Sequence, residues 1–176
     1  MPPMSMPVNA TESASSSSGA WLIYCDGSAF PNPGNMGLGV ILVAPDGAHH
    51  TLSLSAPGKG CNNEAEARAI MAALQKANQL GATSVRVHSD SRVVVDQLTC
   101  DGAAPIVRLD ALFTELRGLL ATFDEAAVIW IPQQRNHEAD ALARKAVGLP
   151  SRPLARPVKG RAARCCRRLP YGSIGQ

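Results

Sequence analysis

Three short apolar segments follow one another in this chain before any helical periodicity begins, and that order limits the folds open to it. Residues 21–25, Trp-Leu-Ile-Tyr-Cys, are continuously apolar, the pattern of a central strand covered on both faces. Residues 38–44 read as a second strand. Pro45-Asp46-Gly47-Ala48 is a turn with Asp-Gly as its tight element, and residues 49–55 return as a third strand with Leu52 and Leu54 alternating. The fold therefore opens with an antiparallel meander. Helix and strand alternate after it. A helix is expected over 64–80, with Asn63 as its N-cap and Gly81 as its stop. A strand follows over 83–89, then a short helix over 91–98. Residues 105–121 are amphipathic, with Leu109, Leu112, Phe113, Leu116 and Leu120 at helical spacing. A last strand spans 126–131, closed by Pro132, and Asn136 caps a final helix that ends at Gly148. The order β-β-β-α-β-α-α-β-α predicts an α/β layered domain built on a mixed sheet.

The chain has 176 residues, enough for one domain with a core. Residues 20–149 are expected to fold. Residues 1–19 are rich in Ser, Pro and Met and are expected to be disordered, as is the basic stretch 150–176. No apolar run approaches the length of a membrane helix, and the first residues do not have the pattern of a secretory signal, so a cytoplasmic location is expected. The five cysteines show neither metal-ligand spacing nor a paired framework, which suggests free thiols. Charge is unevenly placed. Residues 1–150 carry 10 basic and 14 acidic side chains, while 151–176 carry seven bases and no acid. An acidic body with a basic tail fits a protein that brings its own counter-charge to a polyanion.

Four carboxylates stand where an expected strand ends or an expected helix begins: Asp26, Glu66, Asp90 and Asp140. If the strands are neighbours in one sheet, the acids converge at one edge. Clustered carboxylates repel each other, so a protein gathers them chiefly to hold divalent cations. Paired magnesium ions are a standard device for phosphodiester hydrolysis, which makes a nuclease the leading function. Each acid has a plainer reading. Asp26-Gly27 alone is a hairpin turn, but here it precedes a loop of small residues, prolines and glycines over 28–39. Glu66 is where a capping-box glutamate would sit. Its rival Glu64 pairs with Arg68 at i, i+4 on the solvent face, whereas Glu66 heads the stripe Ile70, Ala73, Ala77, Leu80 that faces the sheet. Asp90 could cap the next helix. Asp140 could pair with Arg144 at the surface.

Taken together, the motifs resemble a known family. Asp26-Gly27-Ser28, Asn32-Pro33-Gly34, Gly37-Leu38-Gly39, Asn62-Asn63 with Glu66, Ser89-Asp90-Ser91, Trp130-Ile131-Pro132, and Asn136 with Ala139-Asp140-Ala141 are collinear over 20–147 with type 1 ribonuclease H. The resemblance implies a five-stranded mixed sheet, antiparallel then parallel, flanked by helices. It implies endonucleolytic cutting of the RNA strand of RNA–DNA hybrids by two Mg²⁺ ions, with Mn²⁺ an alternative, leaving 5′-phosphate and 3′-hydroxyl ends. Asp26, Glu66, Asp90 and Asp140 match the metal-binding acids. Gly27, Ser28, Asn32, Asn62, Asn63, Arg92 and Asn136 are the residues it assigns to the substrate. Neutral amides suit a 2′-hydroxyl or a base edge in the shallow minor groove. A monomer with no obligatory protein partner is expected.

The chain departs from the family's pattern in places. A basic helix-loop protrusion is missing, since 105–121 runs almost directly into 126–131 with only Arg108 and Arg117 as bases. The loop Gln133-Gln134-Arg135 has no histidine, and His137 falls on the last helix. Cys61 stands where a threonine is common, and Arg92 where some relatives have glutamine. The rival of a different class is a non-catalytic hybrid- or RNA-binding module of the same fold. Retention of four mutually repelling acids argues against it.

Overall fold

A computed structural model describes residues 19–153 of the chain. Five strands, β1 (Trp21–Phe30), β2 (Gly34–Val43), β3 (His49–Gly60), β4 (Ser84–Ser89) and β5 (Glu125–Trp130), form one sheet in the order β3-β2-β1-β4-β5. The first three are antiparallel, and β4 and β5 run parallel to β1. Four helices complete the domain: α1 (Asn62–Gln79), α2 (Arg92–Thr99), α3 (Asp110–Leu120) and α4 (His137–Ala146). This is the expected mixed sheet, antiparallel then parallel, with helices around it.

The core lies between the sheet and α1, α2 and α3. Ile23, Cys25, Val40, Leu42, Val85 and Val87 meet the alanine-rich face of α1 with Ile70 and Leu74, and Phe113 and Leu116 from α3 close the cluster. Helix α4 covers the other face. Antiparallel partners share a face, and the α4-facing pairs Asp26–Gly39 and Ser28–Gly37 alternate with Gly27–Leu38, which faces α1. Gly37 and Gly39 let the helix in: a Cβ would stand 2.1 Å from the Ala143 carbonyl oxygen at the first and 2.0 Å from that of Ala139 at the second. Residues 21–25 are not buried on both faces, contrary to expectation. Leu22 is exposed and Tyr24 half-buried, stacked on His88 with ring centroids 4.7 Å apart.

Three further expectations change. Most of residues 28–39 is strand, not loop: β1 runs on to Phe30 and β2 begins at Gly34, leaving Pro31, Asn32 and Pro33 as the turn. Helix α1 starts earlier, with Cys61 at its N-cap, so Asn63 does not cap it and Glu66 is past the capping-box position. The amphipathic stretch is a 3-10 turn, Val107–Leu109, followed by α3, with Pro105 and Ile106 in irregular chain ahead of it. The expected disordered segment 1–19 lies outside the described residues except Gly19. The tail beyond Pro153 lies outside them too, with Cys165 and Cys166. Cys25, Cys61 and Cys100 are free thiols. Among the described residues, no helix is long and apolar enough to cross a membrane.

Candidate active site

Strand register brings the first two acids together. The parallel pairing of β1 with β4 ends at Cys25–Ser89, and the next residue on each chain is Asp26 and Asp90. Glu66 comes from α1, which lies so close over β1 that a Cβ on Gly27 would be 2.1 Å from the Glu66 backbone nitrogen. The glycine thus admits a second backbone, and that approach brings Glu66 to the strand end. Oxygens of Asp26, Glu66 and Asp90 all lie within 4.8 Å of one another. Asp90 does not cap α2; Ser91 occupies the cap position. Glu64 points away and pairs with Arg68 at 2.9 Å, as its spacing predicts.

Asp140 stands outside this trio but acts on it. It is buried on the first turns of α4 and its charge reaches Asp26. Its partner is not Arg144, which instead donates from Nε to the Pro150 carbonyl at 2.7 Å. The partner is Arg152, whose Nε is 3.3 Å from Asp140 Oδ1.

The electrostatics describe a site short of positive charge. Burial raises the pKa of Asp26, and the charges of Asp90 and Asp140 raise it further, to about 8, against a hydrogen bond with Glu66 and the charge of Arg152. Glu66 is raised by burial first and then by the charges of Asp26 and Asp90. Asp140 is raised by burial, with Arg152 and Arg144 opposing. Glu66 Oε2 is buried and has no hydrogen-bond partner. Carboxylates held above their usual pKa beside an unpartnered oxygen are suited to a hard divalent cation with oxygen ligands, such as Mg²⁺ or Mn²⁺.

The residues assigned to substrate fall into two groups. Asn136 occupies the first position before α4, yet its side chain does not cap the helix. Its Nδ2 donates to the Cys25 carbonyl and to Asp90 Oδ1, both at 2.8 Å. It ties β1, β4 and α4 together and orients an acid, so it is a positioning residue. Asn62 Oδ1 accepts from the Ala29 N–H at 2.9 Å, and Asn32 Oδ1 accepts from the Asn62 N–H at 3.2 Å. With both carboxamide oxygens engaged, each side chain keeps its NH₂ donor for a ligand. Asn63 is half-buried on the first turn of α1. Ser28 is buried beyond Asp26, and Gly27 is occupied by the α1 backbone. Arg92 is exposed, 4.4 Å over the Trp130 ring, whose Nε1 donates to the Asp90 carbonyl at 3.1 Å. At Cys61, the Sγ accepts from Arg108 Nη2 at 2.6 Å, which links α1 to the segment before α3. His137 opens α4 with Nδ1 3.3 Å from the Gln134 carbonyl oxygen.

A cavity of about 240 Å³ opens on Asp26, Glu66 and Asp90, and also on Asn62, Gln133 and Arg152. Sequence reasoning missed Arg152, which it grouped with the basic tail. Its one signal is that it is the first base after the final helix.

A strand-end acid cluster on this mixed sheet defines a protein of the ribonuclease H-like class. A family model described as "Reverse transcriptase-like" matches residues 24–146. The ribonuclease HI of Halobacterium salinarum is 35% identical over 126 residues, which cover 70% of this chain and 62% of that protein. The solved structure of RNase H1 from the same archaeon superposes with a TM-score of 0.69 at 33% identity, covering 74% of this chain and 98% of the other. The bifunctional protein Rv2228c of Mycobacterium tuberculosis is 35% identical over 72% of this chain, which spans only 35% of that relative. LC11-RNase H1, solved in complex with an RNA/DNA hybrid, has a TM-score of 0.66 at 28% identity, over 73% of this chain and 96% of that one. The chain belongs to the type 1 ribonuclease H family.

Proposed function

We propose that the protein is a divalent-metal-dependent endonuclease that hydrolyses the RNA strand of RNA–DNA hybrids and leaves 5′-phosphate and 3′-hydroxyl ends. The observation that carries this reading is the meeting of Asp26, Glu66 and Asp90 within 4.8 Å at the ends of β1 and β4. Relatives that include a ribonuclease HI and an RNase H1 crystallised with a hybrid support the substrate class.

A pair of bound Mg²⁺ or Mn²⁺ ions would supply an activated water and charge stabilisation for the departing 3′-oxygen. Asp26, Glu66, Asp90 and Asp140 are the residues that would hold them. Asn136 keeps Asp90 aimed: its N–H engages Oδ1 and leaves the second oxygen free for a ligand. The free NH₂ groups of Asn32 and Asn62, with Asn63 beside them, are donors for a 2′-hydroxyl or a minor-groove base edge. Arg92, stacked on Trp130, offers a guanidinium to a phosphate or a base on the other side of the acids. Contacts to the 2′-hydroxyl make the cut strand RNA. The residues assigned to the site all come from one chain, which supports action as a monomer, and the free thiols suit a cytoplasmic setting.

A pure binding module would gain nothing from the acid cluster. Burial raises the pKa of both Asp26 and Glu66, and neighbouring acids raise them further, Asp90 and Asp140 for the first and Asp26 and Asp90 for the second, an arrangement that lowers stability until a cation arrives. The test is a gel assay with RNA–DNA hybrid, duplex DNA and duplex RNA, each with Mg²⁺ or with EDTA. Cleavage of the RNA strand of the hybrid in Mg²⁺ alone is expected. Hybrid retention without cleavage in either condition would favour the binding module.

A further inference from the structure

The acid cavity already contains a cation from the chain itself. After α4 the backbone turns back: the Leu149 N–H donates to the Arg144 carbonyl at 2.9 Å, and Arg144 Nε donates to the Pro150 carbonyl at 2.7 Å. These two bonds lay residues 149–153 as a strap beside the acids. Leu149 and Arg152 line the same cavity as Asp26, Glu66 and Asp90. Arg152 sits 3.3 Å from Asp140; its side chain is 50% exposed and that of Asp140 only 6%. Its charge also acts on Asp26. Among the described residues, no other cation comes within ion-pair distance of Asp140.

We propose that Arg152 is an internal counter-cation of the metal centre: it neutralises Asp140 while no divalent ion is bound, and it yields that contact, releasing the 149–153 strap, when one binds. The inference rests on reading the acids as a metal centre. A half-exposed guanidinium makes a weak pair. It competes for the same carboxylate oxygens as a divalent ion and repels that ion. The strap is tied by few bonds, so its release is local.

The test is calorimetric titration of the full chain with Mg²⁺ for the natural protein, Arg152→Gln, Asp140→Asn and the double variant. It is paired with amide hydrogen exchange at 149–153 with and without Mg²⁺. Loss of one charge beside a divalent ion, across several ångströms of high-dielectric medium, tightens Mg²⁺ binding by roughly tenfold in Arg152→Gln. The effect is smaller in the Asp140→Asn background, where the competition for the Asp140 oxygens is gone and only the repulsion of the ion is left, and a merely structural arginine would not produce that coupling. Exchange at Leu149, whose N–H is bonded to the Arg144 carbonyl, accelerates on Mg²⁺ addition. Unchanged or weaker affinity in Arg152→Gln, or exchange indifferent to Mg²⁺, overturns the proposal. A natural protein that binds no Mg²⁺ overturns the metal reading, and the role of Arg152 with it.

Discussion

Asp26 shows how a single side chain can be well placed for chemistry and badly placed for stability. In the unfolded chain it ionises near the ordinary 3.8; folded and without an ion it ionises near 8. Between those values the folded protein retains a proton that the unfolded chain has released. The stability it contributes is complete below about pH 4 and is lost as pH rises toward 8. Glu66 shifts in the same direction and adds to the trend. Asp26→Asn keeps the shape and removes the charge. In EDTA the variant should melt above the natural protein at pH 8, by an amount on the order of a few kcal/mol, and the gap should close toward pH 4. Differential scanning fluorimetry across that range measures it, and a gap that does not change with pH would contradict the assigned burial. The same variant should lose hybrid cleavage by at least about a thousandfold, since several kcal/mol of charge stabilisation at the phosphate depends on this group. Asn136→Ala should lower stability by roughly 1–3 kcal/mol, because two acceptors lose their donor, and should reduce kcat more than it raises KM. At this scale much was legible in the chain. Glu66 was separable from Glu64 because the i, i+4 partner Arg68 marks a solvent face and the Ile70–Ala73–Ala77 stripe marks a sheet face. The positioning role of Asn136 was not legible, since a helix-capping asparagine and one that instead reaches Cys25 from far along the sequence look identical there.

Elements bring these residues together through close backbone approach. Two helices press on the sheet where side chains are missing: α1 over Gly27 and α4 over Gly37 and Gly39. An added methyl at Gly39 would meet the Ala139 oxygen at 2.0 Å and the Ala143 nitrogen at 2.6 Å, both backbone atoms that cannot swing aside. Gly39→Ala should therefore push α4 outward, lower stability by roughly 1–3 kcal/mol in a urea titration, and weaken cleavage by displacing Asp140. Gly118→Ala is the matched comparison. That helical glycine has nothing within 4 Å of its added Cβ, so the change should stabilise by roughly 0.5–1 kcal/mol and leave cleavage untouched. Equal losses in both variants would contradict the steric account. The same glycines explain where sequence reasoning fell short. Residues 28–39 carry the composition of a loop, yet the hairpin partner and α4 hold most of them as strand. Cross-strand pairing of Ser28 with Gly37 and Ala29 with Met36 overrides local propensity. Periodic segments such as α1 and β4 were recoverable because their own residues face the core, whereas β5, exposed except at the half-buried Val128, was recoverable from its apolar run closed by Pro132. Helix α1 began earlier than its capping pattern implied: Cys61 stands at the N-cap where Asn63 was expected, and the Asn62 side chain is bonded to Ala29 rather than to the helix.

At the scale of the whole molecule, the site and the charge of the chain work against each other. Residues 1–150 have more acids than bases, and the cluster of Asp26, Glu66 and Asp90 is what the proposed substrate, a polyanion, would have to approach. Without a basic protrusion, the segment between α2 and β5 offers Arg108 and Arg117; the first is engaged with Cys61 and the second with the Gln97 carbonyl. The positive charge comes late in the sequence: beyond Pro153 the chain has Arg156, Lys159, Arg161, Arg164, Arg167 and Arg168 and no acid. Affinity from such a tail is released counter-ion entropy, so it falls with salt and does not depend on the nucleotide sequence. Truncation after Pro153 keeps Arg152 and the strap. It should raise KM for hybrid at low salt with kcat little changed, and flatten the plot of log(kcat/KM) against log[salt] by about 0.9 for each phosphate the tail no longer neutralises. Adding Arg152→Gln to the truncation should shift Mg²⁺ affinity, a readout separate from the salt slope, because that guanidinium pairs with Asp140 while no ion is bound. A truncated enzyme with the same KM and the same slope at low salt would mean that the folded body grips the hybrid unaided. Substrate affinity would then rest on the asparagine donors and Arg92, and the clustered positive charge of the last residues would have no part in catalysis.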